Sequence, residues 1–431
     1  MKKLTILLVL IASSLALAHF YVPGKKQDHP ILLKGGDLYT VSGGVLTQTD
    51  LLFDGGRITQ IGKNVPAPAN AEVIDVTGKR VYPGLIDGAS TLGIVEIGAV
   101  RATLDNSEVG NITPEVQSQV AYNPDSELIP TVRSNGILSA LIAPEGGTIS
   151  GRSSLMNLDG WTREDAVEKV DVGIHVTWPR ASIITAWWME KTPEDQKKEM
   201  KENRAKLRDA FESARAYAKA KKAGTLTQTD VRWEAMAPVF DKQMLVFINA
   251  DDMRQIQEAV SFAVEQDIKI VIVGGRESYR VATLLKQHNI PVILGRVQAQ
   301  PMREDDDYDA AYRLPALLAE AGVKFCLSYN YANWGGRSLP FQAAQAAGFG
   351  LDAGLALRSV TLSPAEILGV EKDLGSLEVG KKATLVVSDG DILDPITQRV
   401  VRAYIGGREV DLNNKHKELY EKYRVKSFPE K

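Results

Sequence analysis

The sequence predicts an α/β protein, a (β/α)8 TIM-like barrel with a small β-sandwich domain built from both chain ends. From residue 83 to about 370, short apolar segments alternate with amphipathic helical segments, which is typical of a parallel sheet covered by helices. Segments with alternating apolar and polar residues precede this region and return after it. A doubly wound open sheet is the alternative, but no glycine-rich phosphate motif follows the early strands.

The N-terminal residues have the pattern of a secretory signal peptide. A basic start, MKK, precedes the apolar run LTILLVLIASSLAL, and Ala16-Leu17-Ala18 supplies small residues for cleavage after Ala18. We therefore expect residues 1–18 to be removed and the mature protein to be exported to the periplasm. An uncleaved N-terminal membrane anchor is the alternative, although the run is short for a bilayer.

The next segments predict the β-domain. Residues 19–82 contain alternating strands, with Asp54-Gly55-Gly56 as a hairpin turn. Residues 371–412 have the same character, so we expect them to complete the domain around a barrel at residues 83–370. Residues 413–431 form a charged C-terminal tail that predicts a surface helix.

Within the barrel region, five apolar segments predict buried parallel strands at 137–144, 244–250, 268–275, 290–295 and 323–329. Residues 191–224 predict a long helix capped by Thr192. Its narrow apolar stripe suits peripheral packing, with a lid or a dimer contact as the alternative.

Composition narrows the classes of function. The formal net charge is −3 and the pI is near 6.1, so charge gives no reason to expect nucleic acid or an anionic membrane as a partner. The single cysteine, Cys326, rules out an intramolecular disulfide. We expect Cys326 to be a buried apolar residue, with a catalytic thiol as the alternative.

Two motifs stand at the borders of the barrel region, PGLID at 83–87 and AEILGVEKDLGSLEVGKKATLVVSDGD at 365–391. They resemble the amidohydrolase superfamily, and more narrowly its imidazolonepropionase-like and prolidase-like branch. The fragment LIAPEGGTISGRSSLMNLDGW at 141–161 also resembles that branch, and the resemblance extends from about Ile31 to Leu412. It implies a split β-domain around a barrel and hydrolysis of carbon–nitrogen bonds, commonly with one or two divalent metals.

The resemblance also implies where metal ligands would lie, and this sequence departs from the pattern at each position that can be placed. The expected HxH pair falls on Ala89 and Thr91, the histidines of the fifth and sixth strands on Asn249 and Gly274, and the aspartate of the eighth strand on about Asn330. Methyl groups and glycine donate nothing to a metal, and asparagine offers only a weak neutral oxygen. We therefore expect no metal and no other cofactor.

Candidate ligand-binding residues come from the carboxyl ends of the predicted strands, where barrels of this class bind ligands. They are Glu96, Arg101, Asn249, Arg276, Glu277 and Asn330. Helix capping or ion pairing is the alternative role for such carboxylates, and Asp251 and Asp252 stand at a helix start. His175 is interpreted as a core residue or a pocket wall, with metal binding as the weaker alternative.

The leading hypothesis is an exported, metal-free protein of this superfamily that binds a small polar or peptide-like ligand, or that serves a metal-bearing paralogue as a non-catalytic partner. The second is an active hydrolase of non-peptide carbon–nitrogen bonds, in a cyclic amide or dipeptide-like substrate, with zinc or another divalent metal. The third is a structural scaffold in an envelope complex. A homo-oligomer is compatible with all three, and no membrane contact is expected after signal cleavage.

Overall fold

The structure is a computed structural model that describes residues 21–329 and 331–427. The predicted signal peptide and Asn330 lie outside the described residues. Two sheets, each with eight strands, dominate the described part of the chain. The strands are β1 (Ile31–Tyr39), β2 (Val45–Asp54), β3 (Arg57–Gly62), β4 (Glu72–Asp75), β5 (Arg80–Pro83), β6 (Leu85–Ser90), β7 (Ile137–Ile142), β8 (Ile149–Asn157), β9 (Val167–Thr177), β10 (Leu245–Ala250), β11 (Ile270–Gly274), β12 (Val292–Leu294), β13 (Phe325–Leu327), β14 (Leu385–Ser388), β15 (Val400–Ile405) and β16 (Arg408–Glu409).

The α-helices lie mainly between the strands of the second sheet. They are α1 (Ser118–Ala121), α2 (Leu128–Arg133), α3 (Arg163–Ala166), α4 (Pro193–Lys222), α5 (Val231–Phe240), α6 (Met253–Gln266), α7 (Ala282–Gln287), α8 (Ala310–Ala321), α9 (Leu339–Gly348), α10 (Ala353–Arg358), α11 (Leu362–Leu368) and α12 (Lys415–Ser427). No helix in the described ranges is long and apolar enough to cross a membrane.

The first sheet combines both chain ends, as the sequence predicts. Its order is β16-β15-β14-β5-β1-β2-β3, with β4 beside β1. The β2–β3 turn is the predicted one, because Gly55 and Gly56 adopt φ of +56° and +81°, which suits the tight turn of a two-residue hairpin. Phe53 and Tyr404, from the two chain ends, meet edge to face with ring centroids 5.0 Å apart. The prediction of a small β-domain from both ends is confirmed.

The second sheet is the predicted barrel. Its order is β13-β12-β11-β10-β9-β8-β7-β6. The gap between β13 and β6 is bridged by residues 359 and 360, since Leu327 N donates to Ser359 O and Ile86 N to Val360 O, both at 2.9 Å. The barrel is therefore nearly closed.

One barrel strand departs from the all-parallel pattern. Strand β8 runs antiparallel to both β7 and β9. The connection from β7 to β8 is the short segment 143–148, in which Gly146 and Gly147 have positive φ. Such a short connection joins antiparallel strands, because a parallel pair needs a crossover of a dozen or more residues.

The barrel interior is filled by apolar side chains. Ile86, Phe247, Val271 and Ile293 are buried there together with Cys326. Cys326 is fully buried, and burial raises the pKa of its thiol, which confirms the prediction of a buried apolar residue. This packed layer forms the floor beneath the polar groups of the barrel mouth.

The long helix predicted at 191–224 is α4, and Thr192 caps it by accepting from Asp195 N. Its buried face contains Leu207, Phe211 and Ala214. The Arg204 guanidinium holds both carboxylate oxygens of Glu258 in α6, at 2.7 and 2.9 Å. The helix is therefore anchored along the outside of the barrel.

Candidate functional site

The carboxyl ends of the parallel strands meet at one end of the barrel, which we call the barrel mouth. Asn249 lies near the end of β10, Gly274 ends β11 and Ser90 ends β6. The segment that follows β13 folds over this end, since Tyr331 N donates to Ala89 O at 3.1 Å. The mouth is thus covered by a loop that begins at Ser328.

Three side chains form a hydrogen-bonded chain across the mouth. The Tyr331 hydroxyl is 2.6 Å from Asn249 Oδ1 and 3.3 Å from His175 Nδ1. Tyr331 adopts a left-handed backbone with φ of +56°, a conformation that costs free energy for a residue with a side chain. The Tyr331 side chain therefore lies between β9 and β10, at the top of the apolar interior.

His175 is the buried member of this chain. It is fully buried and its ring stacks on Phe247 with centroids 4.7 Å apart. Burial lowers the pKa of the imidazole to about 3, so the ring is neutral at physiological pH. If Tyr331 donates to Asn249, then His175 Nδ1 carries the proton and donates to Tyr331. His175 Nε2 is then a lone pair, and it has no hydrogen-bond partner within residues 21–329 and 331–427.

Asp87 is a second buried titratable group near the mouth. Its Oδ1 accepts a hydrogen bond from Ser328 Oγ at 2.8 Å, and Ser328 Oγ also lies 2.8 Å from Ala89 O. Burial raises the pKa of the Asp87 carboxyl to about 6, against the opposing effect of the hydrogen bond from Ser328. Asp87 therefore ties the end of β6 to the segment after β13.

The strand-end positions that the resemblance assigns to metal ligands have other roles in the structure. Ala89 is buried. Thr91 Oγ1 donates to Tyr331 O at 2.8 Å. Asn249 Oδ1 accepts from Tyr331, as described above. These three positions therefore hold the loop that covers the mouth.

Gly274 has no room for a side chain in this conformation. Its φ is +92°, and a Cβ atom there would lie 2.5 Å from Asp251 Oδ1. Asp251 Oδ1 itself accepts from Arg276 N at 3.3 Å. The end of β11 is thus packed against the partly buried Asp251 carboxylate.

The donors at the mouth do not fit the metal centre that the resemblance implies. His175 contributes one nitrogen, and the four positions at Ala89, Thr91, Asn249 and Gly274 contribute no imidazole or carboxylate. In the described ranges, no group of three or more His, Cys, Asp and Glu side chains is placed to hold a metal ion. Asn330 lies outside the described residues, so the replacement of its expected ligand stays a prediction.

Two of the predicted ligand-binding residues lie on the loop that follows β6. Glu96 is half-buried; Asn333 Nδ2 donates to its main-chain oxygen at 3.2 Å, and burial raises the pKa of its carboxyl. Arg101 is exposed in a short 3-10 turn at Arg101–Thr103.

The other two lie between β11 and β12, beside a cavity of about 140 Å³ that is separate from the His175–Tyr331–Asn249 chain. Arg276 Nη2 donates to Gln300 O at 2.5 Å. Glu277 is buried and accepts from Met253 N, at the first turn of α6, at 2.7 Å. The adjacent Asp252 caps α6 in a capping box with Gln255, so the capping role considered for these carboxylates is found here.

The structure adds two mouth residues that the sequence did not single out. Tyr331 has no motif around it, and its position depends on the path of the loop after β13. Glu145, in the turn between β7 and β8, accepts from Asn106 Nδ2 at 2.7 Å and its charge acts on Tyr331. Glu145 lies at the mouth because it follows β7 directly and so stands at the carboxyl end of that strand.

The family of the chain follows from comparison with known proteins. A family model described as the amidohydrolase family matches residues 154–410, which is more than half of the chain. The chain therefore belongs to the amidohydrolase family, and the resemblance deduced from its motifs is confirmed. Its barrel and its two-ended β-domain are the architecture expected of that family.

Individual relatives agree with this assignment. The crystal structure of an amidohydrolase from Thermotoga maritima MSB8 is similar, with a TM-score of 0.78 and 27% identity over 88% of this chain and 99% of that chain. The amidohydrolase tasK of Hapsidospora irregularis is 23% identical over 384 residues, covering 80% of this chain and 38% of tasK. A dihydroorotase of Geotalea daltonii is 49% identical over 57 residues, 13% of each chain. The chain thus covers well under two thirds of the length of the tasK protein.

Proposed function

We propose that this chain is an exported amidohydrolase-family protein that binds a small polar or peptide-like ligand at the barrel mouth without a bound metal. The observation that carries the proposal is the hydrogen-bonded chain of His175, Tyr331 and Asn249. It occupies the strand ends at which a metal-dependent relative would need free donor atoms. Without such donors, no ion is held that could activate water for hydrolysis.

The mouth nevertheless offers groups that recognise an amide. Asn249 Oδ1 is engaged by Tyr331, which leaves the Nδ2 hydrogens of Asn249 available to donate to a carbonyl. The Tyr331 oxygen retains capacity to accept from an N–H. A peptide-like ligand presents one such donor and one such acceptor, so these two partly buried residues suit it.

A second candidate function is an active hydrolase of carbon–nitrogen bonds. Family membership supports it, although fold alone does not fix function. The observation that favours it is the unpaired Nε2 of His175, since a buried lone pair without a partner is costly and imidazole nitrogen binds zinc. In that case His175 would be the one described imidazole that contacts the ion.

Metal analysis separates the two candidates. The mature protein would be purified without chelators from cells grown with added zinc, iron and manganese, and its metal content measured by inductively coupled plasma mass spectrometry. We expect far less than one metal per chain, and no shift of the melting temperature on adding zinc. One tightly held metal per chain, lost in a His175→Gln variant, would establish the second candidate instead.

Ligand binding tests the first candidate directly. Glycylproline and hydantoin, a dipeptide and a cyclic amide, would be titrated by calorimetry and by melting temperature. We expect Asn249→Ala and Tyr331→Phe to weaken binding by roughly tenfold, the effect of removing one polar contact. Tyr329→Phe is the matched control, since Tyr329 is a neighbour that contacts Arg296 instead. Equal effects of all three variants would refute a role for Tyr331.

Export and partnership belong to the same proposal. We propose that cleavage after Ala18 releases a periplasmic protein, and N-terminal sequencing of material from the periplasm should begin at His19. If neither probe binds and no metal is found, co-purification of a metal-bearing family member from the native envelope would support the role of a non-catalytic partner. That outcome would overturn the ligand-binding function.

A further inference from the structure

The C-terminal helix α12 carries a charge that differs from that of the whole chain. The whole chain has a net charge of −3, which gives no reason to expect an anionic partner. In contrast, residues 415–427 of α12 contain five lysine and arginine side chains and two glutamates. The helix therefore has a net charge of +3, and it forms a cationic surface that the average over the chain conceals.

The two glutamates of α12 are engaged within the chain. Glu418 is half-buried and accepts from Asn413 Nδ2 at 2.8 Å. Glu421 accepts from Arg424 Nε, also at 2.8 Å. These contacts leave the lysines of the helix without acidic neighbours on its outer side.

The outer side of α12 is cationic and aromatic. Residues three and four positions apart share one side of a helix, and positions 415, 419, 422 and 426 follow this spacing, with 420 and 423 beside them. We call this set the α12 face, and all of its members are exposed: Lys415, Leu419, Tyr420, Lys422, Tyr423 and Lys426. Its three lysines form no ion pair with another described residue, and Lys422 Nζ lies 5.5 Å from the centroid of the Tyr423 ring.

The first described residue of the chain lies against the start of α12. Tyr21 interacts with the main chain of Lys415 and with the charge of Glu418. The apolar run of the predicted signal peptide ends at Leu17, and four residues reach at most about 14 Å. A membrane that holds this run therefore lies within reach of α12 for as long as the run stays attached.

An anionic bilayer complements the α12 face better than a second copy of the chain does, because two such cationic faces would repel each other. Lysine side chains are attracted to a negatively charged lipid surface, and tyrosine rings settle at the level of the lipid headgroups. We propose that the α12 face is a membrane-binding surface for anionic phospholipids, on which the mature protein docks. This inference goes beyond the ligand binding proposed for the barrel mouth and does not depend on it.

Vesicle binding tests the proposal. The mature chain, beginning at His19, would be used so that the apolar run does not contribute. It would be sedimented with vesicles of phosphatidylglycerol and phosphatidylcholine in equal parts, and with vesicles of phosphatidylcholine alone. We expect binding to the first and not to the second. The binding should be lost at about 1 M salt, where the Debye length is about 3 Å.

Two triple variants with the same change of charge make the test specific. The first replaces the lysines of the α12 face: Lys415→Gln, Lys422→Gln and Lys426→Gln. The second replaces three exposed lysines of α4: Lys197→Gln, Lys201→Gln and Lys206→Gln. The first should weaken binding to the anionic vesicles roughly a hundredfold, the combined effect of three lysines at a charged surface, and the second should leave it unchanged. Both should fold, because glutamine forms helices about as well as lysine.

The outcomes that would overturn the proposal are distinct. One is the absence of binding to the anionic vesicles, and another is equal weakening by the two triple variants. A dimer in sedimentation velocity that only the α12 variant dissociates, without vesicle binding by the wild type, would assign the face to a second copy of the chain instead.

Discussion

Burial in the barrel lowers the pKa of His175 and raises the pKa of Asp87. The two shifts make the free energy of unfolding change with pH in opposite directions. The folded chain binds a proton on His175 less readily than the unfolded chain does, because its pKa falls from 6.5 to about 3. This group therefore lowers the free energy of unfolding as the pH falls through that window. The pKa of Asp87 rises from 3.8 to about 6, so its contribution is present below 3.8 and is lost as the pH rises towards 6.

A His175→Gln variant isolates the histidine. Between pH 7 and pH 5 the wild type should lose roughly 2 kcal/mol of unfolding free energy through His175, and the variant should lack this part of the decline. Urea unfolding at the two pH values measures it. His288→Gln, at an exposed histidine, is the control, and a variant with the same decline as the wild type would contradict the burial of a neutral His175.

At the residue scale, the sequence predicted some of the site residues and missed others. It restricted His175 to a core or wall position, because an isolated histidine in an apolar segment is usually buried. It could not find Tyr331, since no local pattern encodes where the loop after β13 crosses the barrel. Four other candidates were predicted only from their positions after strand ends: Glu96, Arg101, Arg276 and Glu277. In the structure the first two lie on the loop after β6 and the last two lie between β11 and β12, so they do not all gather at Asn249.

At the scale of elements, the end of β11 shows how backbone conformation limits which side chain a position can hold. Gly274 combines positive φ with the close approach of Asp251. A residue with a side chain there would suffer both backbone strain and a clash. The conformation of the main chain therefore disfavours a larger side chain at residue 274.

Gly274→Ala should lower the free energy of unfolding by about 1–3 kcal/mol. Gly224→Ala provides the comparison, since Gly224 has φ of +68° but nothing within 4 Å of its added Cβ. That variant should cost roughly 1 kcal/mol, the effect of left-handed backbone alone. Denaturant unfolding measures both, and equal losses would show that contact with Asp251 adds nothing.

The order and type of most elements were predictable, because apolar strands and amphipathic helices differ in period. Strands β7, β10, β11, β12 and β13 fall within the predicted segments. The direction of β8 was not predicted. Its short glycine-containing connection, EGG at 145–147, was the available signal. A (β/α)8 barrel, however, implies that all strands are parallel.

At the scale of the whole molecule, one buried ion pair of the barrel is hydrogen-bonded to the segments at both chain ends. Arg133 Nη1 and Asp159 Oδ1 are 2.8 Å apart, with side chains 4% and 2% exposed. Arg133 Nε donates to Asp411 O at 2.9 Å, and Gly24 N donates to Asp159 Oδ2 at 3.0 Å. The barrel therefore contacts the chain both before β1 and after β16 through a single pair.

Arg133→Met should destabilise the protein by about 3–5 kcal/mol, because it leaves the Asp159 carboxylate buried and unpaired. Thermal unfolding, followed by circular dichroism, would show a clear fall in melting temperature. Adding Asp159→Leu should restore part of the loss, since no charge is then stranded. Arg424→Met, which breaks an exposed pair with Glu421, should change little; an equally small effect of Arg133→Met would contradict this account.

The strand order of the β-domain has a consequence for synthesis. Strand β5 lies between β1 and β14, so one edge of it stays open until the ribosome has passed residue 388. Unpaired strand edges invite association with other chains. A chain halted between residues 370 and 388 would carry an unpaired strand edge beside a complete barrel, so the edge of β5 needs shielding until β14 has emerged.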